Sequence, residues 1–232
     1  MAAQETAFII GVGPGLSASL ARLFAGEGMA VALGARNVDK LDALARETGA
    51  ARFALDVIDP ASVSKFFADA VADKGAPDIV VYNPSNRTRG PFVEQDADAV
   101  RTALLISCYG GFLVGQAAAK LMLDKGAGSI QFTGASASVK GYAQSASFAM
   151  GKFGLRGLAQ SMARELAPRN IHVAHFVIDG GIRQGPDDPR GNRGEDGLLE
   201  PDAIARSYLH VHRQHRSAWA WEVELRPWVE NF

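Results

Sequence analysis

Short apolar runs alternate along the chain with longer segments in which apolar residues recur at helical spacing. Such runs are typical of strands buried on both faces of a parallel sheet, and the periodic segments are typical of the helices that cover it. The pattern predicts a single-domain, doubly wound α/β fold of the Rossmann-like type, with about seven parallel strands and helices on both faces. The predicted strands are Ala7–Ile10, Ala30–Leu33, Ala51–Leu55, Ile79–Tyr82, Ser129–Phe132, His172–Ile178 and Val223–Leu225. The predicted helices are Leu16–Gly28, Val38–Thr48, Ala61–Lys74, one around Asp96–Lys125 and one around Ser145–Pro168.

Composition favours one domain over residues 1–232, because 47% of the residues are apolar and no shift in composition marks a boundary. The formal net charge of -1 gives no basic field for a nucleic acid or an anionic membrane. The lone Cys108 excludes an intrachain disulfide and a thiolate metal cluster. No basic leader or run of membrane-spanning length is apparent, so we expect a cytoplasmic protein without nucleic-acid or membrane partners.

One segment interrupts the alternation of strands and helices. Asp179–Gly197 is dense in Gly, Pro, Asp and Arg and carries almost no apolar residue. Loops of this length in compact domains are usually lids or binding loops. We therefore expect a mobile loop, at about residues 179–200, that shapes the substrate site.

A glycine-rich string follows the first predicted strand and opens the first helix. Gly11, Gly13 and Gly15 would form a tight turn, and the helix that begins at Leu16 would direct its N-terminus at a pyrophosphate. The second strand ends near Arg36, where an enzyme selecting the 2′-hydroxyl of NAD(H) would place an acid. A guanidinium there favours the 2′-phosphate of NADP(H), with NAD(H) as the second option. The alternative is a solvated surface arginine.

These segments and two others resemble motifs of the short-chain dehydrogenase/reductase family. The glycine-rich turn is similar to TGxxxGxG, with Ile10 and Ser17 in place of the Thr and the last Gly. Leu55-Asp56-Val57 resembles the family's adenine-holding pair, and Asn83-Pro84-Ser85 resembles its NAG turn. The resemblance spans essentially the whole chain. It implies the strand order 3-2-1-4-5-6-7 and cofactor contacts at Asp56, Val57 and Asn83, and near Gly180 in the turn after the sixth strand.

The catalytic positions implied by the resemblance are mostly altered. The family uses an Asn, a Ser, a Tyr and a Lys, of which the chain keeps the Lys as Lys152. Phe148 stands in the Tyr position of YxxxK, and the spacing of four still puts it on the same helix face as Lys152. Ala135 stands where the Ser is expected, with Ser136 as its neighbour, and Ser107 replaces the Asn.

Three other residues are candidates for the missing polar groups. Tyr142 would supply a phenol from the loop over the site, and the alternative is a tyrosine at a subunit contact or in solvent. Asp179 would donate a proton if apolar surroundings raised its pKa, although such an Asp more often caps a turn. Gln184 stands where family members hydrogen-bond the nicotinamide carboxamide.

His210, His212 and His215 lack a clustered acid, so we expect no metal site.

The sequence thus predicts an NADP(H)-dependent oxidoreductase that acts on a carbonyl/alcohol pair of a small-molecule substrate through an atypical or weakened site. The alternative is a non-catalytic dinucleotide-binding module, such as a sensor or an inactive partner subunit; a scaffold that binds nothing is a third reading. The two long helices carry apolar residues on more than one face, and their family equivalents pack across two-fold axes. We therefore expect a homodimer or homotetramer.

Overall fold

The computed structural model describes residues 4–185, 188–190, 194 and 196–230. Its centre is a seven-stranded sheet in the order β3-β2-β1-β4-β5-β6-β7, and every strand pair is parallel. This confirms the predicted fold class and strand order. The strands are β1 Thr6–Ile10, β2 Ala30–Ala35, β3 Ala51–Ala54, β4 Ile79–Tyr82, β5 Gly128–Thr133, β6 Ile171–Ile178 and β7 Glu222–Leu225.

Helices cover both faces of this sheet. Those in the described residues are α1 Leu16–Gly26, α2 Asp42–Thr48, α3 Pro60–Lys74, α4 Ala97–Leu104, α5 Gly110–Lys125, α6 Ala146–Leu166 and α7 Pro201–His212. The Asp59 carboxylate caps α3 by accepting a hydrogen bond from the Ala61 N–H at 2.9 Å. Gly49 and Gly126 end α2 and α5 in the left-handed conformation that favours glycine.

Two predicted helices differ from the structure. The segment predicted as Val38–Thr48 begins with a 3₁₀ turn at Asp39–Leu41, and α2 follows it. The long helix predicted around Asp96–Lys125 is divided by a π-helical turn at Leu105–Tyr109. By length and composition the stretch Ala97–Lys125 could cross a membrane, and 44% of its apolar window is buried inside the fold. There it packs against α6 and β5.

Alternating side chains of the buried strands divide the core into two layers. Ile9 and Val81 face the layer of α1, α2 and α7. Phe8 and Val80 face the layer of α3, α5 and α6. The order of strands reverses between β1 and β4, which are neighbours in the sheet. A crevice therefore opens at the carboxyl ends of these strands, where doubly wound proteins bind their ligands.

In the described part of the loop after β6, backbone pairing holds the two ends of the loop together. Ile182 and Leu199 form a parallel bridge, and the Arg183 N–H donates to the Leu199 carbonyl at 2.9 Å. Arg190 pairs with Asp188 and donates to the Ile182 carbonyl at 2.6 Å. The rest of the segment predicted to be mobile, residues 186–187, 191–193 and 195, lies outside the described residues.

Candidate functional site

The glycine-rich turn forms the floor of the crevice. Gly11 has a φ of +81°, and its N–H donates to the Gly34 carbonyl at 2.9 Å. A side chain on Gly11 would collide with the Pro84 ring, whereas nothing lies within 4 Å of the place where a side chain on Gly13 would begin. Helix α1 starts directly after Gly15, and no side chain caps it. Its first N–H groups are thus available to an anion such as a pyrophosphate.

Two side chains brace this turn from behind. The Asn83 amide donates to the Ser17 hydroxyl at 2.7 Å, and that hydroxyl donates to the Gly11 carbonyl at 3.1 Å. Ser17 therefore does more than replace the motif's last glycine, because its hydroxyl links β4 to the turn. Asn83 lines the crevice, but its amide is engaged with the protein.

A cleft of about 530 Å³ continues from the turn across the ends of β2, β3 and β4. It brings together the predicted residues Arg36, Asp56 and Val57, and it adds Lys40, which the sequence analysis did not identify. The Asp56 carboxylate accepts a hydrogen bond from the Ile58 N–H at 3.2 Å. Arg36 and Lys40 are exposed and give this end of the cleft two positive charges.

Lys152 lies on α6 beside the carboxyl end of β5 and is only 2% exposed. Its ammonium donates to the Thr133 carbonyl at the end of β5, at 2.7 Å. Burial lowers the pKa of Lys152 to about 8. The ammonium lies 5.9 Å from the centre of the Phe148 ring, so the spacing of four places both side chains together as predicted.

The other face-on neighbour of Phe148 is Arg87, which the sequence analysis did not identify. Its guanidinium carbon is 5.0 Å from the Phe148 ring centre, and its Nη2 donates to the Ser145 hydroxyl at 2.6 Å. Burial and the charge of Arg89 both lower the pKa of Arg87. Arg87 lies four residues after Asn83, and this position at the end of a central strand was the only sequence signal for it.

Ser107 occupies the π-helical turn and is fully buried. Its hydroxyl accepts a hydrogen bond from the Asn86 N–H at 3.3 Å and lies 3.4 Å from the Asn86 carbonyl. A side chain on Gly151 would collide with it, so α6 packs tightly over the turn. Ser107 thus holds the loop after β4 through the backbone of Asn86, and the substrate contact that the sequence suggested stays a prediction.

The loop after β5 carries Ala135 and Ser136, both partly exposed. A hydrogen-bonded chain anchors this loop. The Ala135 N–H donates to the Ser138 hydroxyl at 3.1 Å, and Ser138 lies 3.2 Å from Nε2 of His175. Nδ1 of His175 lies 3.1 Å from Glu222, which accepts two hydrogen bonds from Arg156 on α6.

The protonation states in this chain follow from its geometry. Burial lowers the pKa of His175 to about 4, against the opposing charge of Glu222. Burial acts to raise the pKa of Glu222, but the hydrogen bond and charge of Arg156 lower it overall. A neutral His175 therefore donates from Nδ1 to the Glu222 carboxylate and accepts the Ser138 proton at Nε2. Ser138 and His175 are both fully buried, so the chain supports the loop and does not face a substrate.

Two predicted residues in the turn after β6, Asp179 and Gly180, pack against other parts of the protein. Asp179 is buried beside Lys140 and Arg226, with oxygen–nitrogen distances of 3.8 and 3.6 Å. These two cations are not the apolar surroundings on which the proton-donor role of Asp179 depended. Gly180 packs against Pro227 and Leu199, where a side chain would collide. It was predicted to contact the cofactor, but it is not among the residues that line the cleft or the cavity at the glycine-rich turn.

Two other predicted residues have contrasting positions. Gln184 lines a cavity of about 160 Å³ together with Gly13 and Leu16, beside the glycine-rich turn. Tyr142 is 41% exposed, and the Lys140 ammonium lies 5.6 Å from the centre of its ring. The phenol therefore reaches solvent from the loop that leads into α6.

Two of the three histidines in the C-terminal region have separate hydrogen-bond partners. Nε2 of His212 lies 3.3 Å from Glu5, and His215 accepts from the Ser217 N–H at 3.4 Å in a short turn. Over the residues that the structure describes, no group of three or more His, Cys, Asp or Glu side chains is arranged to hold a metal ion.

Comparisons with known proteins show which family the sequence resembles. A family model described as short chain dehydrogenase matches residues 5–183. D-threitol dehydrogenase of Mycolicibacterium smegmatis is 32% identical over 175 residues, which cover 73% of this chain and 67% of that protein. Trans-4-hydroxycyclohexanecarboxylate dehydrogenase of Sinomonas cyclohexanicum is 33% identical over 182 residues, covering 74% and 70%.

Solved structures show the same likeness over almost the whole chain. A short-chain dehydrogenase from Rhodopseudomonas palustris is 37% identical with a TM-score of 0.84, over 97% of this chain and 99% of that one. A metagenomic short-chain oxidoreductase in complex with NADP is 25% identical with a TM-score of 0.84, over 97% and 98%.

Proposed function

The chain belongs to the short-chain dehydrogenase family and is an NAD(P)-dependent oxidoreductase of alcohol and carbonyl substrates, and we propose that it works with NADP(H) through a site without the family's phenol. The observation that carries this proposal is the position of Lys152. Its buried ammonium lies 5.9 Å from the Phe148 ring centre, at the carboxyl end of β5, on the same edge of the parallel sheet as the glycine-rich turn after β1.

The crevice fits a dinucleotide with a 2′-phosphate. Gly13 leaves its surroundings open, and α1 presents uncapped N–H groups to a pyrophosphate. Arg36 and Lys40 supply two cations at the opposite end of the cleft, and no acid among the described residues lines that end apart from Asp56. Charge-assisted hydrogen bonds to a phosphate favour NADP(H) over NAD(H). Gln184 is placed to hydrogen-bond a carboxamide beside the turn.

The bound cofactor would supply or accept the hydride. Lys152 would orient the cofactor's ribose and move the proton. Its pKa of about 8 is close to neutrality, where a general acid is most effective, and Nζ would transfer the proton to the substrate oxygen directly or through one water. The backbone around Ala135, fixed by Ser138 and His175, would form the wall opposite.

A panel of activated ketones and aldehydes with NADPH tests the proposal. We expect the wild-type chain to reduce members of the panel slowly. Lys152→Met should lower kcat by about 100-fold or more, and the double change Phe148→Tyr with Ala135→Ser should raise it, within the roughly 10²- to 10⁴-fold range of general acid–base catalysis. NADPH binding, measured by titration calorimetry, should survive in the double variant.

The alternative function, a dinucleotide-binding module without turnover, is favoured by the loss of the Tyr and Ser at positions 148 and 135. Tight NADPH binding with no reduction by either the wild type or the double variant would support it and contradict the proposed enzyme.

The proposal includes a symmetric homodimer or homotetramer. Tyr109, Phe112, Met150 and Phe153 are large apolar side chains on α5, α6 and the π-helical turn that are 40–52% exposed. A surface of this kind on two neighbouring helices is typical of a subunit interface.

A cytoplasmic location and a small-molecule substrate also belong to the proposal. The single Cys108 fits a reducing compartment.

A further inference from the structure

We propose that Arg87 is a specificity residue that binds a carboxylate on the substrate, so that the enzyme prefers hydroxy acids and oxo acids to neutral alcohols and ketones. This inference rests on the proposed function in one respect, since it takes the space beside Phe148 and Lys152 to be the substrate site. It adds the chemical class of the substrate, which neither the glycine-rich turn nor Lys152 determines.

The loop that carries Arg87 is fastened to the start of α6. The Thr88 N–H donates to the Ser147 hydroxyl at 3.2 Å, and the two hydroxyls of these residues are 2.6 Å apart. The Gly90 N–H donates to the Gln144 carbonyl at 3.3 Å. Together with the bond from Arg87 to Ser145, these contacts fix the backbone on which the guanidinium is mounted. Arg87 is therefore oriented before any ligand arrives.

The position of Arg87 separates it from the cofactor cations. The cleft at the carboxyl ends of the strands is lined by residues of the loop after β4 as far as Asn86. Arg87 is the next residue, and its side chain lies over the Phe148 ring instead of in that cleft. The phosphates of a dinucleotide have their own partners in the start of α1, Arg36 and Lys40. Arg87 thus faces the side of the site where a substrate, and not the cofactor, would lie.

The charge of Arg87 has no counterpart in the described residues. Lys140 and Arg226 share Asp179, and Arg156 is paired with Glu222. By contrast, no acidic side chain in the described ranges forms an ion pair with Arg87. Burial, and then the like charge of Arg89 beside it, lower the pKa of Arg87. An anionic ligand would relieve this repulsion.

A carboxylate suits the geometry that is available. One N–H of the guanidinium is used by Ser145, and the planar fork retains donors for a bidentate contact with a carboxylate. The Phe148 ring holds the guanidinium by a cation–π contact at 5.0 Å and shields one of its faces from water. Arg87 is exposed, and a guanidinium that is pre-oriented in this way binds an anion more tightly than a freely rotating one does.

The test compares two substrates of the same size, 4-formylbenzoate and 4-formylbenzamide, with NADPH and the full chain. For the wild type we expect kcat/KM to be at least about tenfold higher for the carboxylate. Arg87→Gln keeps a donor for Ser145 but removes the charge. It should lower kcat/KM for the benzoate by roughly 10- to 100-fold, mainly through KM, and change the benzamide value less than about threefold.

Arg164→Gln is the matched control. Arg164 is also an exposed arginine, and it lies near the far end of α6, the helix to whose start the Arg87 loop is fastened. It should leave both values as in the wild type. Equal kcat/KM for the two substrates in the wild type, or an equal loss for both in Arg87→Gln, would overturn the proposal. The second result would show that Arg87 only supports the fold.

A binding measurement separates this inference from the proposed function. 4-(Hydroxymethyl)benzoate and the corresponding benzamide are titrated calorimetrically into the NADP⁺-loaded chain. Tighter binding of the benzoate that is lost in Arg87→Gln supports the carboxylate site even if no substrate is turned over, in which case only the proposed enzyme fails. Equal binding of the two compounds contradicts the carboxylate site whether or not turnover is seen.

Discussion

Acid should destabilise this protein through His175, and the structure sets the size of the effect. The imidazole is fully buried between Ser138 and Glu222. Burial, together with the charges of Lys152 and Arg156, disfavours its protonated form more than Glu222 favours it, and its pKa falls to about 4. A charged His175 would also lose the hydrogen bond that it accepts from Ser138, which anchors the loop of Ala135.

The sign of the pH effect on stability follows from the number of protons that the folded and unfolded states bind. In the unfolded chain the imidazole has its ordinary pKa of 6.5, so between pH 6.5 and pH 4 the unfolded state binds more protons than the folded state. The contribution of His175 to stability is therefore complete above pH 6.5 and is lost as the pH falls toward 4. Linkage gives a loss of ~2 kcal/mol at pH 5 and ~3 kcal/mol at pH 4. Either is a large part of the ~5–15 kcal/mol that stabilises a typical domain.

Urea denaturation at pH 7.5, 6 and 5 measures this loss. Burial also lowers the pKa of His172 and His212, so the informative quantity is a difference between variants. His175→Gln should be less stable than the wild type at pH 7.5, but its free energy of unfolding should fall by ~2 kcal/mol less between pH 7.5 and pH 5. His210→Gln, at an exposed position of α7, controls for the loss of one imidazole. An identical pH dependence in His175→Gln and the wild type would refute the reasoning.

Two other predictions follow from the cofactor cleft and the apolar helix face. Arg36→Ala should weaken NADPH binding by roughly 10- to 100-fold and leave NADH binding nearly unchanged, because only the 2′-phosphate needs the guanidinium; calorimetric titration showing equal affinities for both cofactors in the wild type would contradict this. The wild type should have the mass of a dimer or tetramer in light scattering at micromolar concentration, and Phe153→Asp should lower that mass, because a charge would be buried in the contact; a monomeric wild type would exclude the assembly.

The sheet could be predicted because its signals are local. The inner strands β1, β2, β4, β5 and β6 are largely buried and need continuous apolar runs, whereas the edge strands β3 and β7 are only partly buried. All seven predicted strands are present. The glycine-rich turn was equally readable, since a positive φ at Gly11 and open space at Gly13 are requirements that few other residues meet. The spacing of four between Phe148 and Lys152 also sufficed to place them together.

The surroundings of individual side chains could not be predicted, because they depend on residues far apart in the chain. Ser107 was expected near the substrate, yet the π-helical turn directs its hydroxyl at the backbone of Asn86, and no sequence pattern announces that turn. A proton-donor role for Asp179 depended on apolar surroundings, but Lys140 and Arg226 lie beside it, on two other loops.

The effect of the altered catalytic positions therefore depends on the side chains that surround them in the fold. A phenylalanine at position 148 removes a hydroxyl, and by itself this indicates a weakened enzyme. In the fold the Lys152 ammonium lies 5.9 Å and the Arg87 guanidinium carbon 5.0 Å from the centre of the same ring. A phenol there would have its acidity increased by both cations, whereas a phenyl ring cannot ionise and offers each cation only its π-face. In the proposed mechanism the substitution separates two functions. Lys152 would supply the proton without a phenol as intermediary, and Arg87 would keep its charge for the substrate.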